Sequence, residues 1–219
     1  MKKFLLLALA CTAPLLGAAP PPYQAKDYSN LLGMEGFSDN ALKIHFTLYQ
    51  GYVKNSNLLL TILDEYMQAG KERTPQFGAI QRRLGWELDG MKLHEMYFGN
   101  MGGSGVPDKN SALYKEIVSQ FGSYDAWKKD FVSTGMMRGI GWSVLYRDPT
   151  DGRLINMWIN EHDTGHLADG TIILPMDVWE HAYMLDYGID REAYIGAFFE
   201  NVDWRVSEKR FDEAVKSSS

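Results

Sequence analysis

The sequence predicts an α+β protein: a long α-hairpin lobe followed by a lobe in which a three-stranded antiparallel sheet is surrounded by helices. Three observations carry this. Apolar residues recur at helical spacing from about residue 39 to residue 100, and the glycine-rich segment "GNMGGSG" at 99–105 ends that pattern. Beyond it, three short runs rich in branched and aromatic side chains alternate with helical stretches. With 219 residues, 45% of them hydrophobic, the chain can build one sizeable core or two small lobes sharing an interface.

Taken in order, residues 20–37 are proline-rich and then irregular, an extended arm. Phe37-Ser38-Asp39 with Leu42 reads as a helix start: Ser38 caps, Asp39 suits the positive end of the dipole, and Phe37 staples onto Leu42. That helix is expected to reach Gly70 with a kink at Gly51, and a second to run from Gln76 to Asn100. "SALYKEIVSQFG" and "SYDAWKKDFVST" read as two shorter helices, each opened by a serine. "GWSVLYRD", "RLINMWIN" and "TIILPMD" read as strands, the first two joined by the turn "PTDG". Helix returns at "VWEHAYML" and again from Glu192 to Val215. The expected units are residues 20–104, a helical hairpin, and 105–219, an α+β domain.

The leader "MKKFLLLALACTAPLLGAAPPP" has a basic start, an apolar run and small residues around Gly17 to Ala19, the layout of a secretory signal peptide over residues 1–19. The mature chain is therefore expected in the periplasm or cell envelope, with lipid anchoring through Cys11 as an alternative. Thr12 and Pro14 interrupt an apolar run already shorter than the roughly 20 residues a bilayer needs, so no stable membrane insertion is expected. Cys11 is the one cysteine, so the mature chain has no disulfide and any metal site must use nitrogen and oxygen ligands. Removing residues 1–19 takes away Lys2 and Lys3 and no acid, moving the formal charge from −6 to −8. Such an acidic chain is a poor nucleic-acid binder, and an anionic substrate would need a local basic funnel.

The chain has five histidines. His45 and His94 each lie in an apolar-periodic helix, where either alone reads as a satisfied core histidine. Asp177 and His181 differ: four residues apart at a helix start in "MDVWEHAYMLDY", both side chains face one way. The pair reads as half of a first-row metal site, or as a capping aspartate beside an unrelated buried histidine. The lack of thiolate tilts the metal toward iron or manganese.

The stretch "DVWEHAY" at 177–183 resembles the metal-binding signature of the iron/manganese superoxide dismutases. "IHFTLYQGYVKN" and "LHEMYFGN" resemble that family's first two ligand helices. "FGSYDAWKKDF" with "GIGWSVL" resembles its turn into the sheet, and "DYGIDREAYIGAFFENVDW" its closing helices, so the resemblance spans about residues 22–215. It implies His45, His94, Asp177 and His181 as ligands to one iron or manganese ion per subunit, held between the lobes. The reaction it implies is dismutation of superoxide to dioxygen and hydrogen peroxide. It also implies a homodimer in which Glu180 of one subunit bonds His181 of the other.

The same resemblance marks departures. The family's solvent-orienting glutamine comes from four residues before the second ligand, here Gly90, or from the loop before the aspartate, here "NEHDTGHLADG". His162 takes that place, with Glu161 and His166 as alternatives, and as a histidine it titrates near neutrality. Tyr49 stands where the family has a histidine, and Met184 replaces a tyrosine. Counting places the gateway tyrosine at Val53; Tyr52 fits if the helix has a one-residue irregularity at Gly51. Trp142 and Trp179 match pocket-walling tryptophans, and Arg191 matches an arginine near the substrate funnel. The expected catalytic set is thus His162, Tyr52, Tyr49 and Arg191. The departures keep a second reading open, a metal-binding protein on this scaffold with weak or no dismutase activity.

Overall fold

The computed structural model describes residues 20–217; the expected leader at 1–19, Cys11 included, lies outside them. After a turn of 3-10 helix at Ser29–Leu31 come two long helices, α1 (Asp39–Gln68) and α2 (Pro75–Gly99). Ser38 caps α1, its hydroxyl accepting from Ala41 N at 3.1 Å, and Phe37 and Leu42 are both buried. Helix α1 runs unbroken through Gly51, where the sequence suggested a kink. One glycine costs a helix about 1 kcal/mol, too little to bend one that packs along its length against α2. Thr74 caps α2 and Pro75 occupies its first turn, where a missing N–H leaves no bond unmade.

Past the glycine-rich segment follow α3 (Ala112–Phe121), α4 (Tyr124–Gly135), β1 (Trp142–Arg147), β2 (Leu154–Ile159), β3 (Thr171–Asp177), α5 (Glu180–Tyr187), α6 (Arg191–Glu200) and α7 (Trp204–Ser217). Ser111 and Ser123 cap α3 and α4. The sheet is antiparallel with order β2-β1-β3, and its central strand is buried at every position. The register sets Trp142 opposite Ile159 on one side and opposite Asp177 on the other.

Two expectations are corrected. The helix expected over 192–215 is two, α6 and α7, parted at residues 201–203. There the backbone pairs with the glycine-rich segment instead of with itself: Gly103 N donates to Asn201 O at 2.9 Å, Asp203 N donates to Asn100 O at 2.7 Å, and Met101 bridges Val202. A Cβ on Gly103 would lie 2.4 Å from Asp203 Cα, so only glycine permits this approach. The segment is a packed seam between the two halves of the chain as well as a helix stop.

Asp177, second, is not on the helix that carries His181. It is the last residue of β3, and α5 begins at Glu180. Trp179 N donates to Asp177 Oδ1 at 2.8 Å, holding the bend, and the Tyr194 hydroxyl donates to Asp177 O at 2.6 Å. No helix among the described residues is long and apolar enough to cross a membrane.

Candidate metal centre

Four elements converge at the end of β3. His45 comes from α1, His94 from α2, Asp177 from β3 and His181 from α5, and their ligand atoms all lie within 4.8 Å of one another. Asp177 Oδ2 is the focus: it stands 3.3 Å from His45 Nε2, 3.5 Å from His94 Nε2 and 3.2 Å from His181 Nε2. Asp177 and His94 are fully buried and His45 nearly so, whereas the His181 side chain is 22% exposed.

The protonation pattern follows from the bonds. His94 Nδ1 lies 2.6 Å from Gly90 O, and a carbonyl only accepts, so this nitrogen carries the proton and Nε2 presents a bare lone pair. Burial pushes the His94 and His45 imidazoles down, which keeps them neutral. Burial would push Asp177 up, but its imidazole neighbours, His181 and then His45, overcome that and hold it well below the usual carboxylate range. The result is an anionic oxygen among three imidazole nitrogens: His181 Nε2 lies at hydrogen-bond distance from Asp177 Oδ2, 3.2 Å, whereas His45 Nε2 and His94 Nε2 are buried without any hydrogen-bond partner. Orphaned polar atoms of this kind cost about 1–3 kcal/mol each.

A cation at the focus removes the cost. Two ligand atoms each about 2.1 Å from one ion, at angles of about 90–120°, stand about 3–3.6 Å apart, which matches the distances from Asp177 Oδ2 to the three imidazole nitrogens. Three imidazole nitrogens and one carboxylate oxygen suit iron or manganese, and the residues present therefore fit such an ion.

Around the ligands sits a layer of rings. The His162 side chain is fully buried; its Nδ1 accepts from Trp142 Nε1 at 3.1 Å and its Nε2 lies 2.8 Å from the Tyr52 hydroxyl. Because the indole N–H can only donate, the neutral His162 carries its proton on Nε2 and gives it to Tyr52 Oη. Burial, with Asp177 and Glu87 adding to it, pushes the Tyr52 hydroxyl up, so it stays protonated and its own hydrogen is free to donate onward. Trp179 stacks on both His162 and His181, with ring centroids 4.9 and 5.7 Å apart.

Tyr52 reaches His162 without the helix irregularity that counting against the family spacing required. In a regular α-helix, positions i and i+7 are two turns apart and share a face, so His45, Tyr49 and Tyr52 line one side of unbroken α1. Space for the Tyr52 ring comes from Gly90: a Cβ there would lie 2.8 Å from Tyr52 Cδ1. The position at which a glutamine was looked for is occupied by the tyrosine ring.

Two expected site residues are committed elsewhere. The Tyr49 hydroxyl donates to Glu95 Oε1 at 3.1 Å and accepts from Lys26 N at 3.0 Å, fastening the N-terminal arm. The Arg191 guanidinium donates to the carbonyls of Gly135, Met137 and Gly139 and to the Tyr183 hydroxyl, so its donors are spent on holding the α4–β1 connection. Val53 is buried core. Of the loop alternatives, Glu161 accepts from Trp86 Nε1 at 3.0 Å, and His166 turns its Nε2 to the His162 carbonyl at 2.7 Å. Only the His162 ring enters the ligand layer. Trp86, whose ring lies 4.6 Å from that of His162, and Tyr194 were not anticipated. Both look like ordinary core aromatics in sequence.

Burial also pushes His162 down, from its ordinary 6.5 to about 4. An unfolded chain takes up a proton there near pH 6.5 while the folded one does not, so stability is full above about 6.5 and declines as pH falls toward 4. His45 and His94 act in the same direction. Metal-free protein is therefore expected to lose urea resistance between pH 7 and pH 4.5, with His162 alone contributing about 3 kcal/mol across its full range. A denaturation midpoint that stays flat over this interval would contradict the assignment of buried neutral imidazoles.

Comparison with known proteins agrees with this geometry. The profile of the iron/manganese superoxide dismutases, C-terminal domain, matches residues 109–210. The chain is 38% identical over 172 residues to superoxide dismutase (Mn) 2 of Haloferax volcanii, covering 78% of this chain and 85% of that protein. It is 35% identical over 188 residues to superoxide dismutase (Fe) of Cupriavidus metallidurans, covering 84% and 92%, respectively. It is also 37% identical over 183 residues to superoxide dismutase (Fe) of Methanothermobacter marburgensis, covering 80% and 88%.

Proposed function

The chain belongs to the iron/manganese superoxide dismutase family, and from that membership we propose that His45, His94, Asp177 and His181 hold its iron or manganese ion in an exported homodimer. The reaction is dismutation of superoxide to dioxygen and hydrogen peroxide. The bound ion supplies the one-electron couple for it. The observation that carries the ligand assignment is the focus of three imidazole Nε2 atoms on one carboxylate oxygen, two of them with no other partner.

The remaining work falls to the rings around that focus. His162 Nε2–H and the Tyr52 hydroxyl form a short donor chain that holds a proton beside the ligands, and Trp142 fixes the tautomer that makes it run in that direction. Trp142 packs on the His94 ring and Trp179 on the His181 ring, shielding those imidazoles from bulk water. Dimerisation is supported by an exposed apolar patch next to Glu180: Met136, Met137, Met184, Leu185 and Ile189 are each at least 40% exposed. His181, next to Glu180 in the chain, has a side chain 22% exposed, which leaves it accessible to a second subunit's glutamate. Export is supported by the composition of residues 1–19.

One preparation tests these points together. The mature chain, purified from the cell envelope, should carry a stoichiometric metal, remove superoxide after reconstitution with iron or with manganese, and scatter light as a dimer. Stoichiometric metal without activity in either form would refute the enzyme reading. His181→Ala should abolish metal retention. His162→Ala should keep the metal and lower activity about 10- to 100-fold; equal metal loss in both variants would remove His162 from the proposed role.

A further inference from the structure

His162 needs an explanation of its own. It sits in a tight turn in which Asn160 N donates to Thr164 O at 2.9 Å and Glu161 adopts a left-handed φ of 55°, an unfavourable conformation for a residue with a side chain. A turn strained in this way keeps its shape only when something outside it holds the backbone.

We propose that His166 and Tyr146 are positioning residues for His162, acting through its backbone carbonyl; the proposal rests on the reading of His162 given above. His166 Nε2 lies 2.7 Å from His162 O and 3.9 Å from the Asp89 carboxylate, so its single Nε2 proton goes to the carbonyl. On the other side of the ring, Nδ1 is hydrogen-bonded to the Tyr146 hydroxyl at 2.6 Å, a bond the hydroxyl can make as donor or as acceptor. Tyr146 is buried in β1 and cannot drift.

Trp142 and Tyr146 stand four residues apart on β1, hence on one face of the sheet. One rigid strand thus grips His162 twice: Trp142 bonds the ring directly at 3.1 Å, and Tyr146 bonds the backbone through His166. Two anchors on one strand fix both the position and the rotation of the imidazole, as an outer layer must if a donor is to be held in place.

The test is epistasis on manganese-loaded protein, read by visible absorption and by reduction potential, with metal content as control. His166→Ala should leave the metal bound and shift spectrum and potential in the direction that His162→Ala shifts them. His166→Gln, whose amide can still donate to the carbonyl, should restore most of the shift, and Tyr146→Phe should give part of it. In a His162→Ala background, His166→Ala should change neither readout further. If His162→Ala shifts both readouts while His166→Ala lowers only the melting temperature, the positioning role is overturned and the reading of His162 stands. If His166→Ala acts equally in both backgrounds, it does not work through His162. If His162→Ala itself shifts nothing, the underlying reading fails first.

Discussion

Replacing Asp177 with asparagine is expected to produce a folded protein that retains no metal and removes no superoxide. The reason lies in how the two carboxylate oxygens are used. Oδ1 accepts from Trp179 N at 2.8 Å, and Oδ2 faces the three imidazole nitrogens. An asparagine must keep its oxygen on the Trp179 N–H, since its NH2 group cannot accept there. The amide nitrogen is then forced to the Oδ2 position, where it has no lone pair for an ion. It does have hydrogens for the bare nitrogens of His45 and His94, which have no partner in the native chain.

The substitution should therefore act with opposite sign on the two forms. Metal-free Asp177→Asn protein gains up to two hydrogen bonds, each about 0.5–1.5 kcal/mol, against the one that Asp177 Oδ2 makes with His181 Nε2, and loses a buried negative charge, so it should melt at or above the metal-free parent. The loaded parent should melt higher than either. An ion present at 1,000 times its dissociation constant adds about 4 kcal/mol, or about 8–16 °C for a chain of this size. Metal analysis and calorimetry of the four preparations decide the matter; an asparagine variant that still carries stoichiometric iron or manganese would falsify the ligand geometry.

The same residues show what was legible in the sequence. His45, His94, Asp177 and His181 were singled out through a resemblance carried by short motifs, and short motifs are local patterns, as are the serine caps and the three strands; periodicity alone would have left His45 and His94 as core histidines. Misplacing Asp177 on the helix came from treating a four-residue spacing as helical; a strand end and a bent turn deliver the same convergence. Tyr52 was doubted because its position was counted against a family spacing, although seven residues bring any helix back to the same face. The parting of α6 from α7 left no trace in the apolar pattern, because its cause, backbone pairing with Gly103 and Asn100, lies about a hundred residues away in the chain. The structural commitment of Arg191 was hidden for a similar reason: the carbonyls that take up its donors belong to a loop that no side-chain pattern reveals.

Gly90 gives the second large effect, and its sign depends on Tyr52. Elsewhere in a helix, Gly→Ala adds about 0.8–1.0 kcal/mol of stability. Here the new Cβ would stand 2.8, 3.0 and 3.1 Å from three carbons of the Tyr52 ring, where about 3.5–4.0 Å is comfortable. The ring cannot yield cheaply. It is buried, it packs 5.4 Å from Trp86 and 5.1 Å from His94, and its hydroxyl is tied to His162. Overpacking of this kind costs about 1–3 kcal/mol, which outweighs the propensity gain, so Gly90→Ala should be destabilising. Gly90→Gln, which puts the family's glutamine back at its position, should be worse: it displaces the Tyr52–His162 donor chain and lowers activity. Metal content should hold in both variants, because His94 bonds the carbonyl of residue 90 and not its side chain. In a Tyr52→Ala background the obstacle is gone, and Gly90→Ala should turn stabilising by about 0.5–1 kcal/mol. Melting curves of the four combinations measure this reversal directly. If Gly90→Ala stabilises the native chain as well, Tyr52 does not occupy the space that the glycine leaves, and the glycine must be explained some other way.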